Sequence, residues 1–440
     1  MLETLRKYLR YTSWPIIAAT ITLIVFGILA ITASERADPT MKGFARKQTV
    51  FAVVGLSAFV VATVVPYPLF GRMAYPLFGV TLGLLVLVLF LPAIRGAHRW
   101  IDLKVLLVQP SEIAKIAFII LLAWYLRRGD HYRKLLGLAV PFVLTFVPMG
   151  LILVEPDLGT ALLFLPTLYI MLFMAGAKLR HLLGIVAVAT ALIFLPVPHG
   201  ITPEMKPAEI LDREALAYWG SHESGRLVSA APLVKMKHHQ VTRILGWLRQ
   251  DEERVAKGVG YQLHQSKMIL GAGCVTGQDQ AARVHEYFRM LPDDHTDFIF
   301  SVVGGRWGLL GCLGVLFCYG VIFVFGVEIA VITYDPFARL LAVGVLALLF
   351  SQIFINVGMT MGLMPITGMT LPLVSYGGSS LVVNCAALGL LVNVGLRRPI
   401  LLGKRPFEYG QKKDKPPAPY GPMGDSAWRP NGSASNGRRG

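Results

Sequence analysis

Charge is what this chain has least of. Asp, Glu, Lys and Arg make up 15% of its 440 residues, against about 25% in soluble domains. With 54% apolar residues and a mean hydropathy of +0.58, the shortage excludes an ordinary soluble globular enzyme and a disordered chain. Cysteine is nearly absent too. Cys274, Cys312, Cys318 and Cys385 show no metal-ligand spacing, and three lie in apolar runs, so a disulfide framework is excluded. His238-His239 has no third ligand at useful spacing. Gly271-Ala272-Gly273 has neither a preceding strand nor a phosphate-loop lysine. There is no short internal repeat. The apolar runs do not alternate with polar residues, which excludes a membrane barrel. The first run lacks a small-residue cleavage site and is expected to stay as a span.

Long continuous apolar runs are present instead. They predict an all-α polytopic membrane protein with ten transmembrane helices, near 14–32, 48–65, 73–92, 111–127, 135–154, 158–175, 181–198, 297–325, 338–361 and 379–396. The segments that would face the cytoplasm with the N-terminus inside hold fifteen Lys/Arg, and the short outer loops hold seven. The bias puts both termini in the cytoplasm. Residues 1–13 are then a cytoplasmic N-terminus, 14–198 carry helices 1–7, and 199–296 form a large extracytoplasmic loop. Helices 8–10 follow in 297–396. Within the loop, Val241, Ile244, Leu245 and Leu248 recur at helical spacing beside Trp247, as in a helix lying on the membrane or packed on the loop. Residues 397–440 hold ten Lys/Arg against three Asp/Glu. They read as a basic disordered cytoplasmic tail attracted to anionic lipid rather than to nucleic acid.

Topology then locates the chemistry. Every even-numbered span begins on the outer face, and the unusual polar residues gather at those beginnings. Lys47-Gln48 opens the second span, Gln109-Pro-Ser-Glu112 with Lys115 the fourth, and Glu155-Pro-Asp157 the sixth. Asp293-Asp-His295-Thr-Asp297 opens the eighth, and Ser375-Tyr-Gly377-Gly378-Ser379 the tenth. Each has an ordinary explanation. An acid in the first turn suits any helix start, Glu112 and Lys115 can pair along one face, Lys47 can snorkel, and the glycines can form a tight turn. Taken together, five helix starts at one depth present unpaired N–H groups and positive dipole ends. With Lys47, Arg99, Lys115 and Lys267 they suit a polyanion such as a pyrophosphate. Acids among those cations are expected to stay ionised, leaving one as a general base.

Several strings resemble the SEDS family (shape, elongation, division and sporulation). They are Arg95-Gly-Ala-His-Arg-Trp-Ile-Asp102, Gln109-Pro-Ser-Glu-Ile-Ala-Lys115, Glu155-Pro-Asp-Leu-Gly-Thr-Ala161, Gly260-Tyr-Gln-Leu-His-Gln-Ser-Lys267, Leu291-Pro-Asp-Asp-His-Thr-Asp-Phe-Ile-Phe300 and Leu371-Pro-Leu-Val-Ser-Tyr-Gly-Gly-Ser-Ser380; Asn356-Val-Gly-Met359 also fits. The likeness is RodA-like rather than FtsW-like. It implies an inverting peptidoglycan glycosyltransferase of the inner membrane, with a role in cell-wall elongation and shape. Such an enzyme polymerises lipid II into β-1,4 glycan, releases undecaprenyl pyrophosphate and works beside a class B penicillin-binding protein. By motif, Asp297 matches the family's essential aspartate. Glu112, Lys115 and Asp157 match polar cavity positions, and Trp100 a sensitive tryptophan. Lys47, Arg99, Gln265, Ser266, Lys267, His295, Ser375, Gly377 and Gly378 complete the substrate-binding set. No dedicated cofactor is implied; a divalent cation, Mg or Mn, would arrive with the substrate. The family pattern is departed from at Gly304-Gly305-Arg306, where it continues Gly-Glu-Glu, and at Gly273-Cys274, where it has paired glycines. A lipid II flippase and a non-catalytic scaffold are the rival readings.

Overall fold

The structure is a computed structural model. It describes residues 12–37, 42–92, 98–102, 107–129, 131–155, 157–194, 246–248, 250–252, 255, 258, 260–277 and 295–397. The basic tail, His238-His239, Asp293-Asp294 and most of the large loop, with the start of its predicted surface helix, lie outside the described residues.

A helix occupies each of the ten stretches that the apolar runs mark. They are α1 (Trp14–Ala37), α2 (Phe44–Val64), α4 (Ala74–Val88), α5 (Pro110–Leu126), α6 (Ala139–Val154), α7 (Leu158–Ala175), α8 (Leu179–Phe194), α10 (Ile299–Ile332), α11 (Pro336–Thr360) and α12 (Gly378–Leu396). Seven of these stretches are long and apolar enough to cross a membrane, and the chain is a polytopic membrane protein. Two shorter helices lie outside the ten apolar runs, α3 (Tyr67–Arg72) and α9 (Tyr261–Ala272). Between Trp100 and α5, Ile101–Asp102 (β1) pairs antiparallel with Leu107–Val108 (β2).

Helix starts follow local chemistry. Pro110 and Pro336 occupy first-turn positions where no backbone donor is needed. Asp157 and Asp335 cap α7 and α11. α11 and α12 form the interior and are mostly buried, while most of α2 and α6 faces outward. Small residues let the helices approach closely. A Cβ at Gly389 would lie 2.4 Å from the Phe59 carbonyl oxygen of α2, and one at Gly55 3.1 Å from Cys385 Sγ of α12.

The apolar pattern of the eighth span runs on without a break, yet α10 is two helices joined at a kink. Gly308 interrupts it at φ 65°, ψ −159°. The turn after α9 wedges in there: the Cys274 and Val275 carbonyls accept from the N–H groups of Leu309 and Leu310 at 2.9 and 3.1 Å. Gly273 meets Gly304 so closely that a Cβ on Gly273 would fall 1.9 Å from the Gly304 carbonyl oxygen. The two departures from the family pattern are therefore in contact.

Candidate active site at a junction of five helix starts

Gln48, in the first turns of α2, joins that helix to the segment leading into α12. Its Nε2 donates to the Ser375 carbonyl at 3.1 Å, and its Oε1 accepts from the Gly377 N–H at 3.3 Å. The same segment holds the approach to α10. Ser375 Oγ donates to the Thr296 carbonyl at 2.6 Å and accepts from the Leu371 N–H at 2.7 Å. The Tyr376 N–H donates to the His295 carbonyl at 2.9 Å. Ser379, in the first turn of α12, reaches α5. Its Oγ donates to the Leu107 carbonyl at 2.5 Å and accepts from the Gln109 N–H at 3.1 Å. Gln109 Nε2 then donates to Asp157 Oδ2 at 2.9 Å, which brings in the start of α7. The starts of α2, α5, α7, α10 and α12 are thus one hydrogen-bonded junction at one end of the bundle.

Within it, the predicted residues do different things. Asp157 caps α7: Oδ1 accepts from the Thr160 N–H at 3.1 Å, Oδ2 from Thr160 Oγ1 at 2.9 Å and from Ser111 Oγ at 3.5 Å. Glu112 and Lys115 are both buried and form an ion pair of 2.8 Å along one face of α5. Glu112 Oε2 has no hydrogen-bond partner among the described residues. Asp297 is half-buried just before α10. Its carbonyl accepts from Asn356 Nδ2 of α11 at 2.9 Å. The His295 ring is buried, with its centroid 4.9 Å from Phe44 and 5.6 Å from Tyr376. Gly377 and Gly378, half-buried, begin α12.

The four cations expected to gather have separate attachments. Lys115 is spent on Glu112. Lys47 is exposed, with Nζ 5.8 Å from the Phe44 ring centroid. Arg99 Nε donates to the Glu155 carbonyl at 2.7 Å, and half-buried Trp100 follows it. Lys267 is exposed on α9 and donates to Gln250 Oε1 at 3.3 Å. Its neighbour Ser266 is buried and ties α9 to its surroundings, through Ser301 Oγ at 2.5 Å and the Thr360 carbonyl at 2.8 Å. Gln265 is half-buried, with Oε1 unpartnered among the described residues.

Glu155 corrects the expectation that acids here stay ionised. Its side chain is fully buried, and neither carboxyl oxygen has a hydrogen-bond partner among the described residues. Burial, then the charge of Asp157, push its pKa up to about 8; Arg99 opposes them but does not prevail. Desolvation outweighs a single cation because the charged form loses its water on every side. Glu155, Gln48, Gln109, Ser379 and Asn356 belong to the junction but lie outside the substrate-binding set that the motifs imply. Their common signal is a polar side chain at the edge of, or inside, a run that otherwise belongs in lipid.

Comparison with known proteins identifies the family. The sequence profile of the FtsW/RodA/SpoVE cell cycle proteins matches residues 12–204 and 215–398. A probable peptidoglycan glycosyltransferase FtsW of Geobacter metallireducens is 32% identical over 395 residues, covering 87% of this chain and 94% of its own. A peptidoglycan glycosyltransferase RodA of Treponema pallidum is 32% identical over 389 residues, covering 80% and 89%. These two relatives, one of each name, share the same identity with this chain. A solved chain from "Structural coordination of polymerization and crosslinking by a peptidoglycan synthase complex" superposes with a TM-score of 0.66 at 29% identity, covering 87% of this chain and 97% of its own.

Proposed function

The chain belongs to the FtsW/RodA/SpoVE cell cycle protein family, the SEDS family, and we propose that it is a peptidoglycan glycosyltransferase that polymerises lipid II at the outer face of the cytoplasmic membrane. In this reading all ten helices span, both termini are cytoplasmic, and the junction of five helix starts faces outward. The enzyme serves cell-wall elongation and shape, beside a class B penicillin-binding protein. The observation that carries the reading is the junction itself. It sets Asp297, Asp157 and the Glu112–Lys115 pair among converging helix starts.

The donor is a glycan joined to its lipid through an α-pyrophosphate, and the product linkage is β. One inversion implies one displacement, with no protein nucleophile. The acceptor sugar's 4-hydroxyl oxygen bonds to the donor's anomeric carbon as the bond to the pyrophosphate oxygen breaks. Asp297 takes the hydroxyl proton, a contribution of roughly 10²–10⁴-fold. Undecaprenyl pyrophosphate leaves, its charge met by helix-start N–H groups and nearby cations. A divalent cation, Mg or Mn, would arrive with the substrate as the counter-ion of its pyrophosphate.

The test is incubation of the purified protein with lipid II, with polymer length read on a gel. Wild type is expected to make glycan and Asp297→Asn none, at equal expression and melting temperature. Parental rates in Asp297→Asn would overturn the base assignment. Transfer of labelled lipid II across vesicles without polymer would favour a carrier instead.

A further inference from the structure

The end of the bundle away from the junction carries a built cationic group that glycosyl transfer does not use. α5 runs from the junction at Gln109 to this end, where Trp124 lies in its last turn. The indole packs on Gly71 of α3, where a Cβ would fall 2.5 Å from Cε3 and Cζ3. Phe337 of α11 meets it edge-on, with centroids 5.2 Å apart at 88°. On the indole so held rests the Arg127 guanidinium, its carbon 3.2 Å from the ring centroid. The Arg128 guanidinium lies 5.8 Å from the same ring.

Two features of this pair are unexplained by folding alone. Arg127 and Arg128 repel one another, and Arg127 Nε is buried without a hydrogen-bond partner among the described residues. Asp335 acts favourably on Arg127, but its Oδ1 already accepts the Phe337 N–H as the cap of α11. Among the described residues one committed acid faces two adjacent guanidinia, which leaves positive charge to neutralise. The buried Nε cannot reach a ligand, but the terminal N–H groups of a guanidinium fixed by stacking form a fork that matches phosphate oxygens better than any other common anion in a membrane.

The surroundings say where that phosphate comes from. Tyr75, which also acts on Arg127, opens α4 and is exposed. Beyond it α4 turns Val80, Val86 and Leu87 outward, an apolar face suited to acyl chains, with the aromatic at headgroup depth. We propose that Arg127 and Arg128, mounted on Trp124 beside Tyr75, bind the phosphate of an anionic phospholipid in the leaflet at this end. The site is independent of the glycosyltransferase reading and is tested without it.

Full-length protein in detergent is titrated with phosphatidylglycerol or phosphatidylcholine, and retained lipid is counted by native mass spectrometry. Each arginine near an anionic surface is worth about fivefold. Wild type is therefore expected to prefer phosphatidylglycerol, and Arg127→Gln with Arg128→Gln to lose about 25-fold of that preference, the remainder belonging to the basic tail. Because the Arg127 stack also supports the fold, Arg128→Gln alone, at an exposed side chain, is the second variant; its preference is expected to fall about fivefold. Equal retention of the two lipids by wild type, or an undiminished preference in Arg128→Gln, overturns the proposal. So does complete displacement of phosphatidylglycerol by millimolar inorganic phosphate, which would make this a small-anion site.

Discussion

One amide nitrogen of Asn356 donates to two carbonyls at once, that of Asp297 at 2.9 Å and that of Met369 at 2.5 Å. Asn356 is fully buried in α11, so the backbone of the proposed base is held by an interior helix rather than by its own loop. Asn356→Ala leaves both carbonyls without that donor, at about 1–3 kcal/mol each where they stay dry. The larger effect is expected on positioning, since an error near 1 Å can cost about 10²-fold. In a lipid II polymerisation assay, kcat should fall about ten- to a hundredfold with KM little changed. Asn356→Asp, which turns an acceptor toward two acceptors, should fare worse. A KM effect alone would mean that Asn356 serves substrate binding instead.

Glu155 gives a pH prediction with a definite sign. Its folded-state pKa is raised from 4.5 to about 8. Below 4.5 it is protonated whether the chain is folded or not. Between these values the unfolded chain loses the proton and the folded one keeps it, so this group's contribution to stability falls as pH rises, and it levels off above about 8. Glu155→Gln removes that slope. The variant should melt with wild type near pH 4.5 and increasingly above it up to pH 8, measured by thermal denaturation in detergent. Parallel curves for the two proteins would show that Glu155 is hydrated and ionised.

The Glu112–Lys115 pair separates architecture from chemistry. Removing one partner of a buried pair costs about 3–5 kcal/mol, because the other charge is left uncompensated, whereas replacing both is often neutral. Lys115→Met should therefore destabilise strongly, and Glu112→Gln with Lys115→Met should recover most of the melting temperature. If Lys115 also meets the departing pyrophosphate, the double variant folds yet polymerises at least about tenfold more slowly. A folded double variant with wild-type rates would leave the pair a purely structural role.

Alternation of ten apolar runs predicts that five polar helix openings share one side, and the structure brings those openings together at one end of the bundle. Gln48, Ser375, Ser379, Gln109 and Asp157 join along that prediction. What alternation could not supply is which side chain each one meets. Asp157, a polar cavity position by resemblance, accepts four hydrogen bonds from Gln109, Ser111 and Thr160, which cap α7 and join it to α5. Glu155 and Arg99 read as opposite charges, but Arg99 Nε is donated to the Glu155 carbonyl, so the carboxyl gains little. Lys267 shares a string with Ser266, yet one faces Gln250 and the other is buried against Ser301. Adjacent residues on a helix point apart, and only packing decides which direction leads to the site.

Gly308 carries the last prediction. Its φ and ψ lie in a region that is essentially glycine's alone, worth about 1–3 kcal/mol of strain for any other residue. A Cβ there would also fall 2.4 Å from the Gly277 nitrogen and 2.5 Å from the Val275 oxygen. Gly308→Ala must therefore push out the turn whose carbonyls hold Leu309 and Leu310, and with it the contact of Gly273 with Gly304. Gly314, on the same helix, has nothing within 4 Å of a built Cβ; alanine there should be neutral or stabilise by up to about 1 kcal/mol. The expected result is a lowered melting temperature and lost polymerisation for Gly308→Ala beside an active, equally stable Gly314→Ala. If both alanines behave alike, α10 is continuous in solution and the wedge formed by residues 273–277 does not hold Asp297's helix in place.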